Sequence, residues 1–82
     1  MITPDWLAAR GGLVKEFGDR SWVVIVDGQP AYRLDALPAK GQFTSAITQT
    51  NNGKRLDRGR VDPTIEAAMA GGLEELRAEL GW

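Results

Sequence analysis

The chain is predicted to fold as an α+β domain, a short N-terminal helix and a C-terminal amphipathic helix bracketing an antiparallel meander. Three observations predict it. Apolar residues alternate with polar ones along two central segments and are packed continuously along a third, with positive-φ turn signals between them. Ile65, Ala68, Met69, Gly72, Leu73, Leu76 and Leu80 recur at helical spacing near the end. Thr3-Pro4-Asp5 opens the chain with cap, proline and acid, the order a helix start prefers. Runs of strands flanked by helices belong to α+β folds, with both helices on one face of the sheet.

Taken in order, the first helix carries Trp6 and Leu7 inward and stops near Gly11-Gly12. Leu13–Phe17 is open between a further helical turn and a strand, with the strand preferred. The sheet therefore has three to four strands, or five if this segment joins. Ser21–Val26 (Ser-Trp-Val-Val-Ile-Val) reads as a strand buried on both faces. Asp27-Gly28 supplies a hairpin turn, and Ala31–Leu37 returns with Tyr32, Leu34 and Ala36 on one face and Arg33 and Asp35 on the other. Pro30 stands at its start, where the ladder tolerates a missing N–H. After Pro38-Ala39-Lys40-Gly41, Gln42–Thr50 places Phe43 and Ile47 opposite Thr44, Thr48 and Thr50. Asn51-Asn52-Gly53 turns the chain again, and Lys54–Asp57 follows as a short charged edge strand anchored by Leu56. Asp62-Pro63 is the expected start of the last helix, and Gly72 its point of closest approach to the sheet. Gly81 ends it and lets Trp82 fold back beside Leu76 and Arg77.

Eighty-two residues form one domain, 1–82, with a single core. The absence of cysteine removes disulfides, thiolate chemistry and iron–sulfur clusters. The absence of histidine removes the commonest metal ligand and neutral-pH base, so no metal and no cofactor are expected. Ser21 and Ser45 lack a histidine to activate them, and Asp27, Asp35 and Asp57 would need a cleft to serve as a carboxylate pair. Neither Gly11-Gly12 nor Gly71-Gly72 fits a phosphate-binding loop. An enzyme is not expected. With no apolar run near the roughly 20 residues of a membrane span and no leader pattern, the expected location is cytoplasmic.

Charge is the feature that points to a partner. In residues 49–60, Lys54, Arg55, Arg58 and Arg60 face only Asp57, a local excess of three in a chain of net charge -1. With Arg33 and Lys40 they could follow a phosphate backbone, and Asn51 and Asn52, with Gln49, could add hydrogen bonds. The same pattern on a solvated hairpin serves only solubility and edge protection. Residues 62–82 carry Asp62, Glu66, Glu74, Glu75 and Glu79 against Arg77, which makes the molecule electrostatically two-sided. Trp6, Trp22, Tyr32, Phe43 and Trp82 could stack on bases, but their positions favour the core.

Pro30-Ala31-Tyr32, Gly41 with Phe43, Asn52-Gly53-Lys54, and Ala68-Met69, Gly72-Leu73 with Leu76 together resemble the C-terminal two-thirds of a double-stranded-RNA-binding domain. The resemblance covers residues 30–76 and implies a helix–strands–helix order and contact with RNA phosphates. The lysines that such domains carry at the start of their last helix are missing: Arg60-Val61-Asp62-Pro63 stands there instead, with one cation and an acid. The strand Trp22–Val26 also has no counterpart in the family.

These readings lead to a small non-catalytic binding module that contacts nucleic acid through its basic hairpin. The alternative is a protein–protein interaction module or homodimer that completes a free strand edge, either Leu13–Phe17 or Lys54–Asp57.

Overall fold

A computed structural model describes residues 3–57 and 59–82. Its order is α1 (Asp5–Ala8), β1 (Gly12–Glu16), β2 (Ser21–Val26), β3 (Gln29–Ala39), β4 (Gln42–Gln49), β5 (Val61–Asp62) and α2 (Ile65–Leu80). The α+β class is as expected, and Leu13–Phe17 resolves in favour of a strand. All five strands form one antiparallel meander in which spatial order equals chain order.

Alternation decides which face is covered. Val14, Val24, Leu34 and Ile47 point to one side and are buried with Leu7, Ala68, Met69 and Leu76 from the two helices. Trp22 joins them, although its indole N–H finds no hydrogen-bond partner among the described residues. The expectation that β2 is buried on both faces is corrected: Val23 and Ile25 are only half-buried, because no described helix or strand packs over the other side.

Backbone devices set the register. Asp27 and Gly28 (φ 53° and 76°) and Lys40 and Gly41 (φ 51° and 79°) are paired left-handed residues, which two-residue hairpin turns require. Ala31 is the extra residue of a bulge, since Val24 pairs with Tyr32 while Ile25 pairs with Pro30. At α2, Gly72 meets Ser45 and Leu34 as expected, and Ser45 donates to the Ala68 carbonyl.

Three expectations are corrected. Thr3 does not cap α1; its hydroxyl accepts from the Val14 N–H, and Pro4 takes the cap position. Asp62 does not cap α2; it lies buried in β5, and Thr64 accepts from the Ala67 N–H instead. Lys54–Asp57 is not a regular strand but a single bridge, Arg55 to Thr48, because Asp57 occupies the Ile47 N–H with its side chain. Gly81 ends α2 at φ 72° as expected, and the Trp82 N–H returns to the Arg77 carbonyl while its ring packs against Trp6, 6.2 Å between ring centroids, and under Arg10.

Candidate functional site: the helix-free face of the sheet

The side of the sheet away from α2 is read in rows across the strands, because paired residues share a face. One row is Leu13, Ile25 and Pro30; the next is Lys15, Val23, Arg33, Thr48 and Arg55. Beyond it come Ser21, Asp35 and Ala46, with Phe17 at the β1 end, its N–H bonded to the Ser21 carbonyl. Leu37, Thr44 and Val61 form the last row. Cations therefore occupy alternate positions of one band, flanked on one side by the apolar row and on the other by the polar pair Ser21 and Asp35.

All four large hydrophobic residues that are exposed among those described lie on this face: Leu13 (45%), Phe17 (64%), Leu37 (43%) and Val61 (49%). Between Phe17 and Pro30 the surface sinks into a cleft of about 380 Å³, floored by Val23 and Ile25 and rimmed by Lys15, Arg33 and Thr50. That volume is at the low end of small-ligand sites, roughly 300–1,000 Å³, enough for one side-chain-sized group.

Three Arg-x-Asp triplets punctuate the chain, and each forms an ion pair across two residues. Arg55 donates through Nε (2.6 Å) and Nη2 (2.8 Å) to Asp57. Arg60 does the same to Asp62 at 2.8 and 3.1 Å. The Arg55 hydrogen bonds hold the Asp57 carboxyl below the usual carboxylate range, with help from the Ile47 N–H and against desolvation. Arg60 lowers Asp62 in the same way. Arg33 differs. Only its Nε engages Asp35, at 3.2 Å, and Asp35 also accepts from the Ser21 hydroxyl. The Arg33 guanidinium carbon stands 5.8 Å from the centre of the Phe17 ring, and Arg33 lines the cleft.

The residues singled out in the sequence are thus only partly brought together. Arg33 and Arg55 share the band. Arg60 lies on the other side, its side chain across Gly71 of α2. Lys54, Asn51 and Asn52 sit exposed at the hairpin tip, where the Asn52 side chain accepts from the Lys54 N–H. Lys40 is at the opposite end of the β3–β4 ladder, about 24 Å away at roughly 3.4 Å per residue. Arg58 falls outside the described residues. Lys15 and Phe17 were missed as site residues; their alternation with Val14 was the available signal.

Neither strand edge is open along its length. The Val14 N–H on the outer side of β1 is taken by Thr3, and the outer side of β4 is met by Lys54, Leu56 and Asp57 and by β5. No group of metal-binding side chains occurs among the described residues, and no described helix is long and apolar enough to cross a membrane. The chain matches no protein-family model, no curated protein and no solved structure.

Proposed function

We propose that the chain is a non-catalytic protein-interaction module whose binding surface is the helix-free face of the sheet. The observation that carries this reading is the gathering of Leu13, Phe17, Leu37 and Val61 on that one face. Large apolar side chains left exposed on one face among polar ones are the usual character of a protein-binding surface. The edge-pairing form of the reading has less support, because Thr3 on one side and Lys54, Leu56, Asp57 and β5 on the other occupy the edges.

The test is a photo-reactive amino acid introduced at Leu37, on the face, and at Ala78, on the exposed side of α2, in cells that make the protein. Discrete protein adducts from Leu37 and none from Ala78 are expected. Labelling that is equal from both positions, or absent from both, would overturn the reading.

Nucleic acid is the second reading, supported by the band of Lys15, Arg33 and Arg55 beside Phe17 and by the exposed Lys54, Asn51 and Asn52. Asp57 weighs against it, since it takes both Nε and Nη2 of Arg55, and Asp35 offsets part of the Arg33 charge through Nε alone. Amide shifts on Lys40 and residues 49–60 with a short duplex or single strand, fading as salt rises, would establish it. A flat titration at low salt would remove it.

A further inference from the structure

We infer that the cleft beside Phe17 captures the C-terminal residue of a partner protein, a large apolar side chain entering the cleft and the free carboxylate meeting Arg33 and Lys15. The inference rests on the proposed interaction face and names the chemistry that the face selects.

The argument begins with the row order. Lys15 and Arg33 are each paired with Val23, so two cations stand on either side of an apolar floor, about 10 Å apart at the backbone for two strand spacings. Both side chains are long enough to converge above Val23. An apolar pocket between two converging cations suits a group that is apolar and anionic at once. A chain terminus ending in leucine or phenylalanine is such a group, because its side chain and its carboxylate leave the same carbon.

Arg33 is suited to the carboxylate. Its two sister arginines spend Nε and Nη2 together on their own aspartates, whereas Arg33 gives only Nε to Asp35. Asp35 is held in turn by Ser21, and the guanidinium rests over Phe17, so the fork is oriented before any ligand arrives. A carboxylate in the cleft would accept from the remaining nitrogens, a charge-assisted geometry that a neutral amide cannot reproduce.

The openness of the cleft favours a polypeptide over a free small acid. A lone acid would bury one side only, while the residues preceding a terminus can run over Ile25 and Leu13 and exclude water along the apolar row.

The probe is a hexapeptide, Gly-Ser-Gly-Ser-Leu-Phe with an acetylated N-terminus, used as the free acid and as the C-terminal amide. Both are titrated into the whole isotope-labelled chain. The free acid is expected to shift the amides of residues 13–17, 23–25 and 31–33, with the amide form at least about tenfold weaker, as loss of a charge-assisted hydrogen bond implies. The double variant Lys15→Gln, Arg33→Gln should abolish that preference. Should it misfold, Lys15→Gln alone, at an exposed position, should reduce the preference. Equal binding of the two forms on this face would overturn the carboxylate contact and leave the interaction face standing. Binding of free decanoate as tightly as the peptide would instead assign the cleft to a small acid and overturn the inference. No shift from either peptide, with Leu37 adducts still formed, would remove the terminus and retain the face; loss of those adducts as well would remove both.

Discussion

Ser45 and Gly72 meet without a side chain between helix and sheet: a Cβ on Gly72 would stand 2.8 Å from the Ser45 hydroxyl oxygen and 3.2 Å from Leu34 Cδ2. The Ser45 hydroxyl, fully buried, uses the space to donate to the Ala68 carbonyl one turn earlier in α2. The helix approaches the sheet closely because glycine allows it.

Gly72→Ala should therefore destabilise the protein by about 1–2 kcal/mol. Overpacking of a tight core costs about 1–3 kcal/mol and outweighs the helix-propensity gain of about 1 kcal/mol. Urea unfolding of the variant would show a lower midpoint at unchanged slope; an unchanged midpoint would contradict the close approach.

Gly71→Ala, one residue away, should behave differently. The atoms nearest its Cβ would be Nε, Cζ and Cδ of Arg60, an exposed side chain paired with Asp62 that must shift, rather than a packed core group. The helix gain then offsets the disturbance, and stability should remain within about 0.5 kcal/mol of the parent. The same urea measurement on the two variants provides the contrast.

Acid should weaken the segment that covers β4. The folded-state pKa of both Asp57 and Asp62 is lowered, so each contributes stability that is fully present above the ordinary carboxylate range and is lost as pH falls through its depressed folded value. Stability should be flat near neutrality and begin to fall below about pH 4. In Asp57→Asn the acid-dependent loss should be smaller, which thermal unfolding across pH 2–7 would reveal. Asp57→Ala should cost about 1–2 kcal/mol at neutral pH, because the Ile47 N–H loses its acceptor.

Trp22→Phe should be nearly neutral, within about 1 kcal/mol, although the residue is 7% exposed. The ring that is lost carries an N–H without a partner among the described residues, and removing an unsatisfied donor compensates for lost packing. A calorimetric midpoint many degrees below the parent would show that the indole N–H is paired.

Much of this fold was legible because period-two alternation survives in the sequence. Tyr32, Leu34 and Ala36 separate cleanly from Arg33 and Asp35, and α2 announces itself by its stripe and by Gly81. The start of α2 was misread because Asp62-Pro63 and Thr64 both offer capping chemistry, and only the β4 partner Phe43 decides that Asp62 belongs to a strand. The candidate site was less legible. Charge was read as a cluster along residues 49–60, whereas pairing folds Arg55 and Arg60 onto their own aspartates and sends them to different sides. The surface that remains, Lys15 with Phe17 and Arg33, is assembled from three strands. Its parts carry no local motif, because cross-strand neighbours are set by register rather than by spacing.

The identity of chain order and spatial order in the sheet bears on how the molecule forms. Each of the first four strands can be added to its neighbour by closing a short turn, so the ribbon can grow outward from the β2–β3–β4 centre with little loop entropy at those steps. The later events are the return of β5 after residues 50–60 and of α2 across β3 and β4. Rapid zipping of the hairpins followed by slower helix docking is the expected sequence of assembly, and mutations at the Ser45–Gly72 contact should speed unfolding more than they slow folding.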